Sequence, residues 1–533
     1  MKPETITALQ KFIDDLVQMD GLPGIVLGIT GKDAGDIILT SGVSNITTQA
    51  PMTADALFEI GSLSKSFTAI SLLRLAEQGV LDIHQPLSEI LPIFQVPVCG
   101  EPITTHHLLS HTAGITSGTD LRTDGQYEVY ALRHTQPGCP PGVRYHYCNV
   151  GYRALGLLAE KLYQQSYAQI IREQFFEPLG MMASHPQITN NLRQAITPGY
   201  TDLYDDRPNP TGRPLVEAPW IESFTGEGSI VSTASDMLKY IRMLLNEGQS
   251  GSHQILGTQG FDLLSEPVIK ARIPETCYGR GVMLPTGGNP GTVSHYGGMV
   301  GYSSYLLADR AAGFGVILLI NYPANTIALG DRLYKGILQS EAGDSQLLTR
   351  QPETPINPQL AGSYLSPELG VVQINQHDRQ LELVMDGIAY PMELRGRQAY
   401  YCSHPQLGLY LIFPVMDGEN CLGFNCGPHT FYASTTEVPT IPTAPAHWAG
   451  LCGHYRSHSP WFPSVRIILR AGKLLLVFPD GDEVDLVELE SYTFREGLDE
   501  QGPERLIFDA FEDGQALQVT IHGNRMVRSM PVK

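Results

Sequence analysis

Ser62 and Lys65 stand three residues apart in Phe58-Glu-Ile-Gly61-Ser62-Leu-Ser64-Lys65-Ser66-Phe67. That spacing puts both side chains on one face of a helix. A serine hydroxyl is a weak nucleophile until a base takes its proton. A lysine one turn away can be that base when burial and the positive helix end lower its pKa. The same helix start offers backbone N–H groups to a developing oxyanion. The competing reading is a cap serine followed by a solvated lysine, and for an isolated S-x-x-K that reading is the better one.

Two distant segments change the balance. In Tyr145-His-Tyr147-Cys148-Asn149-Val-Gly151-Tyr152, Tyr147 and Asn149 are two apart, so in extended chain they point the same way. A tyrosine beside a lysine can shuttle a proton, and the Asn149 amide can hold the lysine or a substrate carbonyl. The alternative is a tyrosine-rich loop before a helix capped by Asn149. The third segment, His295-Tyr296-Gly297-Gly298-Met-Val-Gly301-Tyr302, is glycine-rich at a strand entry. Gly297 and Gly298 let a ligand approach an edge strand, and the Gly298 N–H can be the second oxyanion donor beside that of Ser62. An ordinary strand-entry bend explains this segment about as well.

The elements that must position these groups follow from pattern. An amphipathic start (Leu9, Phe12, Ile13, Leu16, Val17) precedes apolar runs at 24–30 and 37–40, parted by Gly31, Asp33 and Gly35 as in a hairpin. Helical periodicity predicts helices over 64–79, 104–111, 149–166, 168–177, 234–246 and about 324–340. A second hairpin is predicted from Tyr302–Ala308, a turn at Asp309–Gly313 and Phe314–Asn321. Strands at both ends of this block, residues 1–345, with helices between them predict an antiparallel sheet covered by helices: an α+β fold.

Beyond it lie proline-rich linkers, 341–358 and 436–447, each followed by short alternating strands. Leu360-Ala-Gly362-Ser-Tyr364 answers Leu451-Cys-Gly453-His-Tyr455. Leu411-Ile-Phe413 with Asp417-Gly418 answers Leu506-Ile-Phe508 with Asp513-Gly514. Ordered matches at nearly constant offset predict a duplicated module, two small antiparallel β-barrels over 359–436 and 448–533.

Composition bounds the partners. The 533 residues carry 35 Lys plus Arg against 55 Asp plus Glu, a net charge of −20. With no basic patch, nucleic acid and anionic membranes are poor partners. The longest apolar run, Phe314–Ile320, is far short of the ~20 residues a membrane span needs. No basic region followed by an apolar stretch opens the chain, and the eight cysteines form no CxxC pair, so the expectation is a cytoplasmic protein with free thiols. His107 and His111, i and i+4 on the predicted helix, lack the H-E-x-x-H register and read as core histidines, with no metal and no cofactor expected.

The three motifs in the order Ser-x-x-Lys, Tyr-x-Asn, His-x-Gly resemble the penicillin-recognising serine hydrolases: class C β-lactamases, D-alanyl-D-alanine carboxypeptidases, family VIII esterases and D-aminopeptidases. Ile103-Thr-Thr-His-His-Leu-Leu-Ser-His111-Thr-Ala-Gly-Ile115, Pro178-Leu-Gly-Met181 and Gly226-Glu-Gly-Ser-Ile-Val-Ser232-Thr-Ala-Ser-Asp236 extend the match across the first block. With two lipocalin-like barrels behind, the chain looks most like the three-domain D-aminopeptidase branch. The resemblance implies a β-lactamase-like catalytic domain and an acyl-enzyme on Ser62. Lys65 and Tyr147 would manage the proton, Asn149 would position them, and the N–H groups of Ser62 and Gly298 would hold the oxyanion.

His295 stands where β-lactamases carry the lysine of Lys-Thr-Gly, and a neutral histidine holds a substrate carboxylate less strongly. This favours a D-aminopeptidase or amidase on small D-amino-acid amides or peptides. A carboxylesterase, a β-lactamase or D,D-peptidase-like hydrolase, an acyltransferase or peptide cyclase, and an acylable sensor without turnover are the alternatives. The acidic tip Pro479-Asp480-Gly481-Asp482-Glu483 is ordinarily a solvated turn. A minority reading gives Asp482 a substrate ammonium to bind. The expected partner is a small molecule or short peptide, and a homodimer is compatible with the sequence.

Overall fold

Strong helix formers and apolar side chains on nearly every side of the segment after Ser62 suit a helix enclosed by others. In the computed structural model, which describes residues 1–32, 35–118, 125–286, 291–349 and 357–529, this is the helix Ser64–Glu77. Phe67, Ile70, Leu72 and Leu73 are buried, and Gly79 ends the run with φ near 72°. The ring of Phe67 stacks on Tyr240 at 4.0 Å, and the Tyr240 hydroxyl donates to Ser66 at 2.8 Å. Burying an aromatic of that size is worth about 2–3 kcal/mol.

The chain divides into two units, Met1–Thr201 with Val216–Arg350 and Asp202–Leu215 with Gln351–Lys533. The first is built on a nine-stranded antiparallel sheet. Its order is Ile269–Lys270, Thr276–Tyr278, Met283–Pro285, Thr292–Met299, Tyr302–Asp309, Phe314–Ile320, Gly24–Gly31, Ile37–Asn45 and Ala50–Pro51. Both predicted hairpins form, and the strand Phe314–Ile320 joins them by pairing with Tyr302–Asp309 on one side and Gly24–Gly31 on the other. Asp33, assigned to the first turn, lies outside the described residues.

Helices cover both faces of this sheet. Gly28 and Gly315 face the helix Ala234–Leu245 so closely that a Cβ on Gly315 would come within 2.3 Å of Ile241. Tyr305 pairs with Leu318, on the face opposite Ile317, and there it meets Gly330 of the closing helix Thr326–Ala342. The result is an α+β, β-lactamase-like sheet flanked by helices.

Several elements differ from their predicted extents. The helix predicted over 104–111 spans only Thr105–Leu109, with a capping box between Thr104 and His107. His111 lies beyond it at φ 57°, so the i, i+4 relation of the two histidines does not exist on a helix. The segment predicted over 168–177 begins as Tyr167–Ile171 and continues through a π turn at Arg172–Phe176. The predicted linker 341–358 starts with ordered chain: the turn Gln346–Leu348 buries Leu348 against Gly336. Its residues 350–356 lie outside the described residues.

The second unit holds two closed eight-stranded antiparallel barrels, Gly362–Ala433 and Gly453–Arg528, each with its strands in sequence order. Side chains fill both interiors. Tyr364, Phe424 and Phe431 pack in the first, and Tyr455, Phe494 and Phe508 in the second. The matched tyrosines repeat one contact: Tyr364 donates to the Leu360 carbonyl at 2.7 Å, and Tyr455 to that of Leu451 at 2.8 Å. Asp513-Gly514 has φ of 48° and 77°, the left-handed pair a tight hairpin demands.

The segment 202–215 is grouped with these barrels through charge. Asp205 pairs with Arg456 at 2.6 Å and Asp206 with Arg466 at 3.0 Å, while Arg395 donates to the Asn209 carbonyl at 2.6 Å.

Candidate active site

A left-handed glycine starts the site. Gly61 has φ 53°, and a Cβ there would strike the backbone of Gly298, 2.6 Å from its oxygen and 2.9 Å from its nitrogen. Gly297 is equally constrained, since its Cβ would come within 2.1 Å of the Ile60 carbonyl and 3.1 Å of the Ser62 nitrogen. Glycines in both segments therefore let the turn Gly61–Leu63 press against the strand Thr292–Met299. Ser304, paired with Gly297, fastens the contact by donating to the Ile60 carbonyl at 2.8 Å. Gly298 differs, for nothing lies within 4 Å of a Cβ placed on it.

Hairpin geometry orients the Gly298 amide. Val300 and Gly301 form a two-residue turn that makes Met299 and Tyr302 the hydrogen-bonded pair. Gly298 and Ser303 then form the non-bonded pair, and alternation turns the Gly298 N–H off the strand towards the Ser62 turn.

Lys65 is fully buried. Its Nζ donates to Ser62 Oγ at 2.9 Å and to the Glu227 carbonyl at 3.0 Å. It lies 4.9 Å from the centre of the Tyr147 ring and 5.5 Å from that of Tyr152. The Glu227 segment is held against the helix Ser64–Glu77 by Ile60 donating to Ile230 O, by Ile230 N–H donating to Ser64 Oγ, and by Thr68 donating to Gly226 O. Behind it, Arg153 lies 2.9 Å from Glu227 and 3.1 Å from Glu128, all three side chains more than nine-tenths buried. Removing one member of such a buried ionic group costs about 3–5 kcal/mol. The lysine is thus aimed by a backbone carbonyl that a buried ion triad keeps in place.

Tyr147 turns its hydroxyl inward, although part of its ring is exposed. Burial pushes the phenol well above its ordinary pKa of 10, with the nearby Ser62 hydroxyl pulling the other way. At neutral pH the group is a phenol, able to give a proton. Asn149 opens the helix Asn149–Tyr163, its N–H donating to the Ser117 carbonyl at 3.0 Å. The cap of that helix is not Asn149. The Cys148 thiol accepts from the Gly151 N–H at 3.2 Å, because Cys148 is the last extended residue.

His295 is 1% exposed, and both ring nitrogens are engaged inside the protein. Nδ1 lies 2.6 Å from the Tyr296 carbonyl, which can only accept, so Nδ1 carries the proton. Nε2 then accepts from the Tyr278 hydroxyl at 2.9 Å. Burial, then the nearby Lys65, lowers its pKa to about 3. Both ring nitrogens are thus bonded within the protein, on the glycine strand. Asp482 belongs to the other unit, in a turn whose Gly481 packs on Leu411 of the first barrel.

Sequence reasoning missed the Glu227 carbonyl, the Arg153 triad, Tyr152, Tyr278 and the placement of His111. A backbone carbonyl has no residue signature. The buried Glu-Arg-Glu group carried only a weak one, three charges in otherwise apolar segments. Among the described residues, no three His, Cys, Asp or Glu side chains gather as metal ligands, and no helix is long and apolar enough to cross a membrane.

Comparison with known proteins agrees in extent with this architecture. The family model described as Beta-lactamase matches residues 9–336. Penicillin-binding protein 4 of Amycolatopsis lactamdurans is 28% identical over 386 residues, covering 67% of this chain and 96% of its own. The octameric penicillin-binding protein homologue from Pyrococcus abyssi superposes with a TM-score of 0.58 at 22% identity, covering 80% of this chain and 99% of its own. The D-amino acid amidase from Ochrobactrum anthropi does so at 0.54 and 24%, covering 63% and 99%.

Proposed function

The chain belongs to the beta-lactamase family of serine hydrolases, and from that premise we propose that it works through an acyl-enzyme on Ser62, hydrolysing small D-amino-acid amides or peptides. The observation that carries this reading is the 2.9 Å contact between Lys65 Nζ and Ser62 Oγ, beside a buried phenol and the glycine strand. Ser62 Oγ attacks the substrate carbonyl as its proton passes to Lys65. The oxyanion receives hydrogen bonds from the N–H groups of Ser62 and Gly298. When the C–N bond breaks, Tyr147 gives its proton to the leaving amine and recovers one from Lys65. Water then cleaves the ester by the reverse proton path.

The neutral, enclosed state of His295 supports the amide and amine-end preference. A substrate carboxylate finds no cation at that position, unlike in a site built on Lys-Thr-Gly. The D-amino acid amidase that shares the fold gives the substrate class a precedent.

The test is a panel of D- and L-amino acid p-nitroanilides, short-chain nitrophenyl esters and a chromogenic cephalosporin, each run with the Ser62→Ala variant. Turnover of D-amino-acid anilides, lost in the variant, is the expected result. Turnover confined to the cephalosporin overturns the substrate class, and equal rates for both proteins overturn the mechanism. A stoichiometric burst without turnover would make the chain an acylable sensor.

A further inference from the structure

We propose that His111 is a positioning residue for Tyr147, holding the backbone on both sides of that tyrosine and flooring its ring; this rests on the acyl-enzyme reading above. The chain reaches His111 just after the helix Thr105–Leu109, in a left-handed conformation that few non-glycine residues adopt. The conformation aims two acceptors of one residue at one short segment. The His111 carbonyl accepts from the His146 N–H at 2.8 Å, and its Nδ1 accepts from the Cys148 N–H at 3.0 Å. The residue between these two donors is Tyr147. The imidazole lies against the phenol ring at 4.3 Å between centres. Tyr278, Tyr152 and Tyr145 enclose its remaining faces at 4.8, 5.1 and 5.9 Å.

Nδ1 accepts only while the ring is neutral and carries its proton on Nε2, a buried atom with no hydrogen-bond partner among the described residues. Charging the ring would set N–H against N–H at Cys148. The titratable groups around it work against charging. Burial acts first, and Lys65, His295 and His146 follow, all lowering its pKa well below 6.5. The four surrounding phenols stay neutral, each raised above its ordinary range by burial. A packing role would need only the ring. The bracket of hydrogen bonds needs an acceptor at Nδ1 and a residue that tolerates positive φ.

Those two demands can be separated. Asparagine tolerates the left-handed conformation and offers an amide oxygen near the place of Nδ1. Phenylalanine keeps a ring and loses the acceptor. The experiment measures the acylation rate with a D-amino acid p-nitroanilide, whose leaving amine needs a proton, for His111→Asn and His111→Phe, alone and combined with Tyr147→Phe. Circular dichroism and urea midpoints monitor folding.

Displacing a proton carrier by about 1 Å costs on the order of 10²-fold in rate. The expected result is therefore an acylation rate down ~100-fold in His111→Phe, restored to within a few-fold of wild type in His111→Asn, with KM little changed. On the Tyr147→Phe background neither substitution should slow acylation further. A wild-type rate in folded His111→Phe, or losses that multiply with Tyr147→Phe, overturns the proposal. If His111→Phe does not fold, the asparagine variant decides: a rate as low as that of Tyr147→Phe overturns it. Equal anilide turnover by wild type and Ser62→Ala refutes the acyl-enzyme reading itself, and the positioning role falls with it.

Discussion

The centre of the first unit and the cores of the barrels bury aromatic rings in different company. Around Lys65 the first unit encloses a lysine, His111, His295 and the tyrosines 145, 147, 152 and 278. The barrels bury aliphatic side chains and phenylalanines, with one tyrosine in each copy spent on the same local carbonyl. Buried polar groups are costly unless partnered. The first unit accepts that cost around Lys65 and surrounds it with one ion triad, glycine contacts and a left-handed histidine. The barrels keep largely apolar interiors, and the second pairs the largely buried His522 with Glu496 and Glu504. Buried polar groups are densest around Lys65, and the barrels hold the more apolar interiors.

The sharpest way to break this contrast is Lys65→Met, which keeps the volume and removes the amine. We expect the nitrophenyl ester burst to fall by about 10³-fold or more while barrel unfolding is unchanged. A retained burst would make the buried polar centre merely structural.

Neighbouring glycines give the next largest effect. Gly297→Ala forces a methyl group onto the Ile60 carbonyl and should cost about 2–3 kcal/mol as well as most activity. Gly298→Ala points into open space and should unfold at the wild-type urea midpoint.

Titration separates the two regions by pH window. Burial raises Glu59, two residues before Gly61, to about 8. Its neutral form is favoured in the fold, so stability is greatest below about 4.5 and declines as pH rises through 8. His522 of the second barrel behaves differently. Burial alone would lower it, but Glu504 and Glu496 outweigh burial and raise it to about 9. Its contribution is whole below about 6.5 and lost as pH climbs through 9. Melting curves from pH 4 to 10 should lose the first decline in Glu59→Gln and the second in His522→Asn, worth on the order of 5 and 3 kcal/mol respectively.

Smaller effects sharpen the view of the repeat. Tyr364→Phe should cost about 1 kcal/mol. Tyr455→Phe should cost more, because that hydroxyl also accepts from Arg528 at 2.9 Å. Neither should alter the burst. The smallest change is expected of Asp482→Asn: altered KM on amine-bearing substrates would support the ammonium-binding role, and unchanged kinetics would remove it.

Much of this is legible in the order of residues. The Ser62–Lys65 contact follows from helical spacing, the two hairpins from alternation, and the duplicated barrel from ordered matches such as Tyr364 with Tyr455. Element ends were less legible. The short helix Thr105–Leu109 stops before His111, where backbone conformation overrides a helical pattern that continues in the side chains. Asn149 has a good capping side chain, yet Cys148 does the capping because the extended chain ends there.

By itself, the chain's order of residues determined which groups could react and which segments would be strand, helix or repeat, because spacing and periodicity act over a few residues. Only the folded arrangement decided that Glu227 would offer Lys65 a carbonyl, that His295 would be sealed between Tyr278 and its own strand, and that His111 would bracket Tyr147. Those contacts join backbone atoms and residues far apart in sequence. Their strength depends on burial, which no local pattern records.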